Sequence, residues 1–443
     1  MGSLSTIVAA SCLWAPASAA GLADHDWPMW GQNAQYTSYK GVVASDAGDR
    51  AEWTIAAGDR VVGSPAVAFG RVYFGSDDGV FRCANKTTGD VLWTFEIEAQ
   101  PACDPNWCEH GLCACEKIRS SPAVDDAGAV YFGAYDHNVY KLDATGAEVW
   151  RFPTGGAVYG PVTLDTDGTA FVGSFDGFVY AVDGATGEQK WRADVGAHGD
   201  AGWGLAPGPS GAASLVVGQT NEGGKCSSWP PPDVPSWNGT HSCADDCGQC
   251  HALALDAKTG EEVWRAATKG PGGGGTVAVG ADAVSYLLGD WSGTVSGVEI
   301  TSGANLWSFD FGGDVESRPG LHPDGTAYVS TEDETHALYA VQASTGRGLW
   351  QYLGSTETLN SSPAVTDDAV YVGSNDHTLH AVDRASGARL WTFETCANVF
   401  SSPAVDDDGV LYVGCNTVTG GGDEGVGKLY AVNPRTRLAA ARA

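Results

Sequence analysis

The stretch from Ser121 to Trp150 decides the fold, because it contains one complete unit of a pattern that recurs along the chain. It reads SPAVDDAGAVYFGAYDHNVYKLDATGAEVW. Four short runs rich in β-branched and aromatic residues alternate with turns rich in Asp and Gly, which is typical of β-strands joined by tight turns. The unit therefore predicts a small four-stranded antiparallel sheet.

A tryptophan closes each repeat of this unit. The recurring positions are Trp53, Trp93, Trp150, Trp191, Trp264, Trp307, Trp350 and Trp391. Most intervals are 40 to 43 residues, and two longer intervals of 57 and 73 residues contain insertions. Four strands in about 40 residues are typical of a propeller blade, which must stack on its neighbours to bury both faces. We expect the repeated tryptophan to pack between adjacent blades.

The two ends of the repeat array predict how the ring closes. Eight units begin at Ser64, Ser121, Gly160, Gly204, Thr276, Arg318, Ser362 and Ser402. The last unit loses its tryptophan strand, whereas residues 51–55 form a tryptophan strand that no unit precedes. The expected fold is all-β: an eight-bladed propeller over residues 51–438, in which an N-terminal strand completes the last blade. Such closure would remove an exposed sheet edge.

Composition narrows the possible partners. The chain has 443 residues, with 54 acidic and 24 basic side chains, and a formal net charge of −30. Nucleic-acid binding needs clustered Lys and Arg, so this balance argues against it. A hydrophobic content of 43% is enough to fill a core and excludes disorder as the main state.

The N-terminus resembles a secretion signal. Residues 1–20 carry no charged side chain, and Ala17-Ser18-Ala19 has the small residues of a cleavage site. We therefore expect a signal peptide over residues 1–20, a lead segment over 21–50 and a short tail over 439–443. No apolar run is long enough to span a bilayer, so no transmembrane segment is expected. The predicted location is secreted, extracellular or a periplasm-like oxidising compartment.

Cysteine usage agrees with an oxidising compartment. Ten cysteines form groups of four, four and two: Cys103, Cys108, Cys113, Cys115, then Cys226, Cys243, Cys247, Cys250, then Cys396 and Cys415. Even-numbered groups in a secreted chain favour disulfides. Zinc is the alternative for Cys243, Cys247 and Cys250 with their neighbouring histidines. Cys83 takes an apolar strand position and is expected to pack as a small hydrophobe. Sequons at Asn85 and Asn238 predict glycosylation.

The cysteine groups are predicted to share one face of the propeller. The insertion at residues 101–117 lies between an outer strand and the next inner strand, and the insertion at 221–250 lies between a second and a third strand. Cys396 and Cys415 occupy one loop of each type. Because both loop types emerge on the same side, we expect a disulfide-stapled, Cys-rich cap around one mouth of the central channel.

The channel mouth is predicted to carry a small set of polar side chains. Aligning the units at the position three residues before the first Pro of SPAV gives Val62, Arg119, Val158, Gly204, Gly274, Glu316, Asn360 and Phe400. Arg119 and Glu316 would lie on opposite sides of an eight-membered ring. Such a mouth could seat a small polar ligand. The alternative is a water-filled channel that these side chains merely plug.

Several motifs resemble one known family. Thr-Gly stands four residues before tryptophan at Trp93, Trp150, Trp191 and Trp264, and segments SPAV, VYVGS and LYAVD recur. With the opening WPMWGQN, the chain resembles the pyrroloquinoline-quinone (PQQ) enzyme repeat family over about residues 27 to 437. The resemblance implies a propeller. Some members are quinone-dependent alcohol dehydrogenases, and others bind no quinone and serve as assembly scaffolds.

For a dehydrogenase, the resemblance implies PQQ with calcium, a stacking surface and an aspartate base. The candidates are Trp203 or Trp291 for stacking, Arg119 and Asn360 for other cofactor contacts, and Asp290 or Glu316 as base or metal ligand. The adjacent Cys-Cys pair common in such enzymes is missing from the sequence.

Two hypotheses therefore stay open. One is a secreted propeller that binds a protein or small polar ligand through its Cys-rich face. The other is a PQQ-dependent alcohol dehydrogenase-like enzyme with a divergent pocket. The sequence specifies neither the substrate nor the oligomeric state.

Overall fold

A computed structural model of the chain describes residues 26–29, 32, 38–42, 50–98, 117–196, 203–207, 214–221, 250–267, 277–279, 285–289, 293–312, 315, 317–331, 336–416 and 426–434. The strands in chain order are β1 (Ala51–Ala56), β2 (Ala66–Ala68), β3 (Arg71–Gly75), β4 (Val80–Asn85), β5 (Val91–Glu96), β6 (Ala123–Val124), β7 (Val130–Gly133), β8 (Asn138–Leu142), β9 (Glu148–Pro153), β10 (Thr163–Leu164), β11 (Thr169–Gly173), β12 (Phe178–Asp183), β13 (Gln189–Asp194), β14 (Gly204–Pro207), β15 (Ser214–Asn221), β16 (Cys250–Asp256), β17 (Glu262–Ala267), β18 (Val277–Val279), β19 (Ser285–Gly289), β20 (Thr294–Glu299), β21 (Asn305–Asp310), β22 (Gly320–Leu321), β23 (Thr326–Ser330), β24 (Leu338–Gln342), β25 (Arg347–Tyr352), β26 (Ala364–Val365), β27 (Ala369–Gly373), β28 (Thr378–Asp383), β29 (Arg389–Glu394), β30 (Ala404–Val405), β31 (Leu411–Cys415) and β32 (Lys428–Val432).

The described part of the chain is all-β, and its strands form four-stranded antiparallel sheets, as the sequence predicts for a propeller. Seven sheets use consecutive strands: β2–β5, β6–β9, β10–β13, β14–β17, β18–β21, β22–β25 and β26–β29. A further sheet has the order β1-β32-β31-β30. In that sheet β1 runs antiparallel to β32, with Trp53 opposite Ala431 and Thr54 opposite Tyr430.

Local sequence explains the shape of each blade. The innermost strands are short, and most of them follow a proline, which has no N–H to donate to a ladder and is therefore found where a strand begins. A β-bulge shifts the register between the third and fourth strands of all eight described sheets, for example between Cys83 and Ala84. Because bulges increase local twist, the repeated bulge gives each outer strand the same bend.

The repeated tryptophans join neighbouring sheets, as predicted. The indole Nε1 of Trp93, on β5, donates to the carbonyl of Ala144 in the next sheet at 3.2 Å. A Cβ at Gly146 would lie 2.6 Å from the Trp93 ring, so only glycine allows this approach. Trp53 on β1 makes the equivalent contacts with the sheet β2–β5, where its Nε1 donates to Lys86 O at 3.0 Å.

Serine hydroxyls link the inner ends of adjacent blades. The backbone N–H of Ser64 donates to Ser121 Oγ at 2.9 Å, and that of Ser362 donates to Ser402 Oγ at 2.9 Å. The backbone N–H of Ser402 in turn donates to Ser64 Oγ at 2.9 Å, although 338 residues separate the two. These bonds satisfy buried backbone donors that lie outside the sheet ladders.

We call the two ends of the blades the upper and lower faces. The upper face carries the turns between second and third strands and the loops that lead from one sheet to the next. The lower face carries the remaining turns. A short N-terminal strap, residues 26–29 and 38–42, lies on the inner strands near the lower face, where Trp27 pairs with Val67 and Tyr39 with Val365.

Buried charges hold this strap in place. Asp26 is 4% exposed and receives Lys86 Nζ at 3.3 Å, and the same ammonium lies 3.3 Å from Asp406. Lys40 pairs with Asp407 at 2.5 Å. Burial raises the pKa of Asp26, although Lys86 opposes that shift. The described residues contain no helix that is long and apolar enough to cross a bilayer.

Candidate functional site

Five of the described loops that lead into a blade place one apolar side chain beneath the upper face, and the residue after it takes the position that the sequence predicts for the channel mouth. Ile118 packs under Gly75, where an added Cβ would lie 2.2 Å from Ile118 Cγ2. Val158 packs in the same way under Gly133. The residues that follow these buried positions are Val62, Arg119, Tyr159, Asn360 and Phe400. We call them the loop positions of the mouth.

The turn between the second and third strands supplies a second residue to the mouth from each blade. The backbone N–H of Asp77 donates to Arg60 O at 2.9 Å. In other blades too, a backbone N–H of this turn donates to the carbonyl of the residue that precedes the buried apolar residue. The equivalent donors are Tyr135, Phe175, Asn375 and Asn416, at 2.8 to 3.0 Å. Asp77 and these four residues form the turn positions of the mouth.

The prediction that Val158 is the mouth residue of the third blade was wrong. Val158 is fully buried, and its place at the mouth is taken by Tyr159, which is half-buried. The reason is a loop one residue shorter: Ile118 stands four residues before Pro122, whereas Val158 stands three before Pro161. Counting back from proline therefore assigned Val158 to the position of Arg119.

Arg119 lies at the mouth, and its guanidinium is paired. Its Nε donates to Asp77 Oδ1 at 2.9 Å, and its Nη2 donates to Asp77 Oδ2 at 2.9 Å. Arg60 also binds Asp77 Oδ2, through Nε at 2.9 Å. The Asp77 side chain is fully buried, and that of Arg119 is 8% exposed. One carboxylate thus holds two cations in a fixed bidentate geometry.

Three aromatic rings continue this surface. The centroids of Tyr135, Tyr159 and Phe175 lie 6.3 to 6.4 Å apart. The Arg119 guanidinium carbon lies 5.4 Å from the Tyr135 centroid, within the range of a cation–π contact. The rings are half-buried, so the second and third blades present a partly aromatic surface beside the ion pair.

Two other blades present amides. The Oδ1 atoms of Asn360, Asn375 and Asn416 are buried and have no hydrogen-bond partner in the described structure. The hydroxyl oxygen of Ser401, which follows Phe400 in the chain, is also buried and has no hydrogen-bond partner in the described structure. Asn375 is oriented by its Nδ2, which donates to Thr358 Oγ1 at 2.6 Å. Buried polar atoms without partners are costly, so their concentration at equivalent positions of neighbouring blades is unusual.

A hydrogen-bonded chain supports the turn of the seventh blade. His380 is 2% exposed, with Nε2 3.0 Å from Asp376 Oδ2 and Nδ1 2.9 Å from the Tyr352 hydroxyl. Burial alone would raise the pKa of Asp376, but the contacts with His380 and Ser355 outweigh it and lower the pKa to about 2. The negative charge of Asp376 therefore fixes this turn beside Asn375.

The remaining cofactor candidates do not join this group. Trp203 is 1% exposed and packs under Gly218, where a Cβ would lie 2.7 Å from its ring. Gly218 belongs to the blade that Trp203 leads into, whereas Ile118 packs under a glycine of the preceding blade, so the two residues occupy different buried positions. Asp290, Trp291 and Glu316 lie outside the described residues.

One predicted cysteine pair is present. Cys396 and Cys415 form a disulfide on the upper face, with Cα atoms 5.9 Å apart. Cys83 is a buried free thiol, as predicted for a small hydrophobe, and burial raises its pKa to about 12. Cys250 begins β16. The other predicted cluster cysteines, Cys103, Cys108, Cys113, Cys115, Cys226, Cys243 and Cys247, lie outside the described residues.

The first predicted glycosylation site is in a lower-face turn. Asn85 Oδ1 accepts hydrogen bonds from the backbone N–H groups of Thr87 at 2.8 Å and Thr88 at 3.0 Å. Asp143, Asp183, Asp256 and Asp383 cap the equivalent turns of other blades. The side chain of Asn85 therefore has a structural role in the turn. Asn238 lies outside the described residues.

Comparison with known proteins adds the family. The PQQ-like repeat model, described as "Outer membrane protein assembly factor BamB", matches residues 13–104, 107–226, 251–416 and 355–437. The chain belongs to the PQQ-like repeat family. This member is 23% identical over 317 residues to the outer membrane protein assembly factor BamB of Burkholderia pseudomallei, covering 68% of each chain.

Quinoprotein enzymes are also relatives of this family member. It is 26% identical over 185 residues to the quinohemoprotein alcohol dehydrogenase of Comamonas testosteroni, a match that covers 38% of this chain and spans only a quarter of that enzyme's length.

Solved structures share the fold. A europium-containing methanol dehydrogenase superimposes with a TM-score of 0.72 at 15% identity, covering 92% of this chain and 98% of that one. BamB from Moraxella catarrhalis gives a TM-score of 0.59 at 16% identity, covering 86% and 99%.

Proposed function

We propose that this protein is a binding or scaffold propeller that takes its ligand on the upper face, at the channel mouth. We infer that the sheets form one closed eight-bladed ring, with β1 as the outer strand of the last blade. The pairing of β1 with β32 and the bond from Ser402 to Ser64 support this ring. The loop and turn positions of successive blades would then face one another around a single mouth.

The observation that carries the proposal is the ion pair between Arg119 and Asp77. A quinone cofactor would need cationic contacts for its carboxylates, and Arg119 is the residue that the sequence offers for them. Both oxygens of Asp77 bind Arg119 and hold its guanidinium in place. Removing that partner would leave a buried charge uncompensated, which is strongly unfavourable.

The described candidates do not fit a bound quinone. Trp203 lies under Gly218 in the core, so its ring offers no stacking face at the mouth. The Asp77 carboxylate binds both Arg119 and Arg60. The aromatic rings of Tyr135, Tyr159 and Phe175 pack against one another at oblique angles of 48 to 73° and form no flat slot. These features favour reversible binding over redox chemistry.

A secreted or periplasm-like location is part of the proposal. The disulfide between Cys396 and Cys415 supports an oxidising compartment, because structural disulfides persist there and are rare in reducing ones. The disulfide joins the loop before β30 to the end of β31, next to Asn416. It therefore staples the upper face beside the proposed mouth.

The second candidate is a PQQ-dependent alcohol dehydrogenase-like enzyme that uses calcium. Its support is the similarity to quinohemoprotein alcohol dehydrogenases in sequence and fold. The arrangement of Arg119, Asp77 and Trp203 argues against it.

The deciding experiment measures dye-linked oxidation of primary alcohols by the purified full chain, loaded with PQQ and Ca²⁺. The proposal predicts no turnover above a control with cofactor but no protein. Arg347→Ala, an exposed arginine on β25, serves as the matched control for Arg119→Ala. Robust turnover that Arg119→Ala abolishes and Arg347→Ala preserves would replace the binding proposal by the enzymatic one.

A further inference from the structure

The mouth combines two unlike arcs. The first to third blades contribute the ion pair of Arg119 with Asp77 and the rings of Tyr135, Tyr159 and Phe175. The seventh and eighth blades contribute amides and a hydroxyl at the equivalent positions. The serine bond from Ser402 to Ser64 joins the eighth blade to the first, and in the inferred ring the seventh blade lies across the mouth from the third.

The amide arc is electrically neutral and lacks hydrogen-bond partners. Asn416 is 3% exposed and Ser401 is fully buried, yet Asn416 Oδ1 and Ser401 Oγ have no partner in the described structure. Asn360 Oδ1 and Asn375 Oδ1 share this condition. An unpaired buried acceptor destabilises the folded chain, and a ligand that donates a hydrogen bond to it removes that penalty.

The chemistry of the two arcs selects among ligands. A divalent cation prefers carboxylate oxygens, and the described amide arc contains none, while the Asp77 carboxylate is already bound by two arginines. Amide and hydroxyl groups suit ligand hydroxyls, which both donate and accept. Aromatic rings suit an apolar face on the same ligand. A pyranose has both features: hydroxyls around its edge and C–H groups on its faces.

We propose that the upper mouth binds a neutral carbohydrate, with its hydroxyls on Asn360, Asn375 and Asn416 and a C–H face against the ring of Tyr159 or Phe175. This proposal rests on the proposed binding function and specifies its ligand class. The amides carry no charge, so recognition at the amide arc follows the positions of ligand hydroxyls. Binding brings hydrogen-bond donors to buried oxygens that have no partner among the described residues.

The test uses the full mature chain and saturation-transfer NMR with isothermal calorimetry. The probes are glucose, galactose, mannose, xylose and their β-linked disaccharides, with Ca²⁺ and PQQ as separate arms. We expect at least one saccharide to bind. Asn416→Ala should weaken that binding by about tenfold, the effect of one lost hydrogen bond to a buried group. Asn305→Ala, an exposed asparagine on β21, is the matched control and should leave the affinity unchanged.

A stability readout separates a binding role from a structural one. Asn416→Ala removes an acceptor without a partner, so the melting temperature of the free protein should stay the same or rise. A structural asparagine would instead lower it. Tyr159→Phe, which keeps the ring, should retain binding if Tyr159→Ala loses it.

Three results would overturn the carbohydrate proposal. The first is that no saccharide binds at millimolar concentration. The second is that Asn416→Ala leaves the saccharide affinity unchanged. The third is that only Ca²⁺ or PQQ binds and that Asn416→Ala loses this binding. The last result would keep a binding site at the mouth and reject only its ligand class. Alcohol turnover in the dye-linked assay would reject the proposed function itself.

Discussion

Arg119 and Asp77 form a bidentate ion pair on the upper face, with Nε–Oδ1 and Nη2–Oδ2 distances of 2.9 Å each. Arg60 completes the group by binding the same carboxylate. These residues come from two successive inter-blade loops and the turn between them, so the pair fixes the relative positions of three segments. The ion pair also engages the Arg119 guanidinium, which is the cation that the sequence offers for the carboxylates of a quinone cofactor.

The first prediction concerns this ion pair. Asp77→Ala leaves the guanidinium of Arg119 largely buried and without its carboxylate, which should cost about 3–5 kcal/mol of unfolding free energy. Urea denaturation followed by tryptophan fluorescence measures the loss. Arg347→Ala on the exposed outer strand β25 should change stability by no more than about 0.5 kcal/mol. Equal effects of the two changes would contradict a structural role for the pair.

The second prediction concerns the contact between tryptophan and glycine. Gly146 and Gly168 both have positive φ, +86° and +80°, but a Cβ at Gly146 would meet the Trp93 ring at 2.6 Å, whereas a Cβ at Gly168 would meet nothing within 4 Å. Gly168→Ala should cost about 1–2 kcal/mol from backbone strain alone. Gly146→Ala should cost about 1–3 kcal/mol more because of overpacking. Thermal melts of the two variants give the difference, and equal melting temperatures would remove the inter-blade role of the tryptophan.

The third prediction concerns the disulfide. Cys396 and Cys415 are 19 residues apart, so replacing both with serine should cost about 3 kcal/mol in the chain-entropy model. Differential scanning calorimetry of the oxidised protein and of the double variant checks this value. Cys83→Ala, which alters a buried thiol that forms no disulfide, should leave the sensitivity to reductant unchanged. Wild-type melting that is insensitive to reductant would oppose the prediction.

The fourth prediction concerns acid stability. The pKa of Asp376 falls from 3.8 to about 2 in the folded chain. The unfolded state therefore takes up the proton first as pH falls, so the stabilisation is fully present above pH 4 and is lost as pH approaches 2. Asp376→Asn should flatten the melting temperature between these values relative to wild type. Glu357→Gln, an exposed change in the same blade, is the control. If the melting temperatures of wild type and Asp376→Asn changed with pH in parallel, the lowered pKa of Asp376 would be refuted.

The repeat in the sequence predicted most of the blade structure because each strand follows from local residues. Turn glycines, β-branched runs and the closing tryptophans specify register without long-range information, and Trp93 contacts Gly146 as expected. The disulfide between Cys396 and Cys415 was likewise predictable, because the pair flanks a single blade.

The mouth was predictable only in part. Counting back from proline assigned Arg119 and Asn360 to loop positions that follow a buried apolar residue, but a one-residue deletion moved the third-blade position from Val158 to Tyr159. Trp203 failed as a stacking candidate because burial under Gly218 cannot be read from its neighbours in the chain.

The turn positions were missed altogether. Asp77, Tyr135, Phe175, Asn375 and Asn416 each stand two residues after the glycine at which the second-strand repeat ends. Aligning the units at that glycine would have found them. The pairing of Asp77 with Arg119 also depends on contacts between adjacent blades, which no single repeat contains.

The most direct test of binding at the upper mouth is hydrogen exchange of the intact chain, followed by mass spectrometry with and without the saccharide panel. We expect slower exchange in the upper-face segments 134–137, 158–160, 174–177, 374–377 and 415–416, and unchanged exchange in the lower-face turns 125–129 and 366–369. Slowing confined to the lower-face turns, or no change in any segment, would contradict binding at the upper mouth.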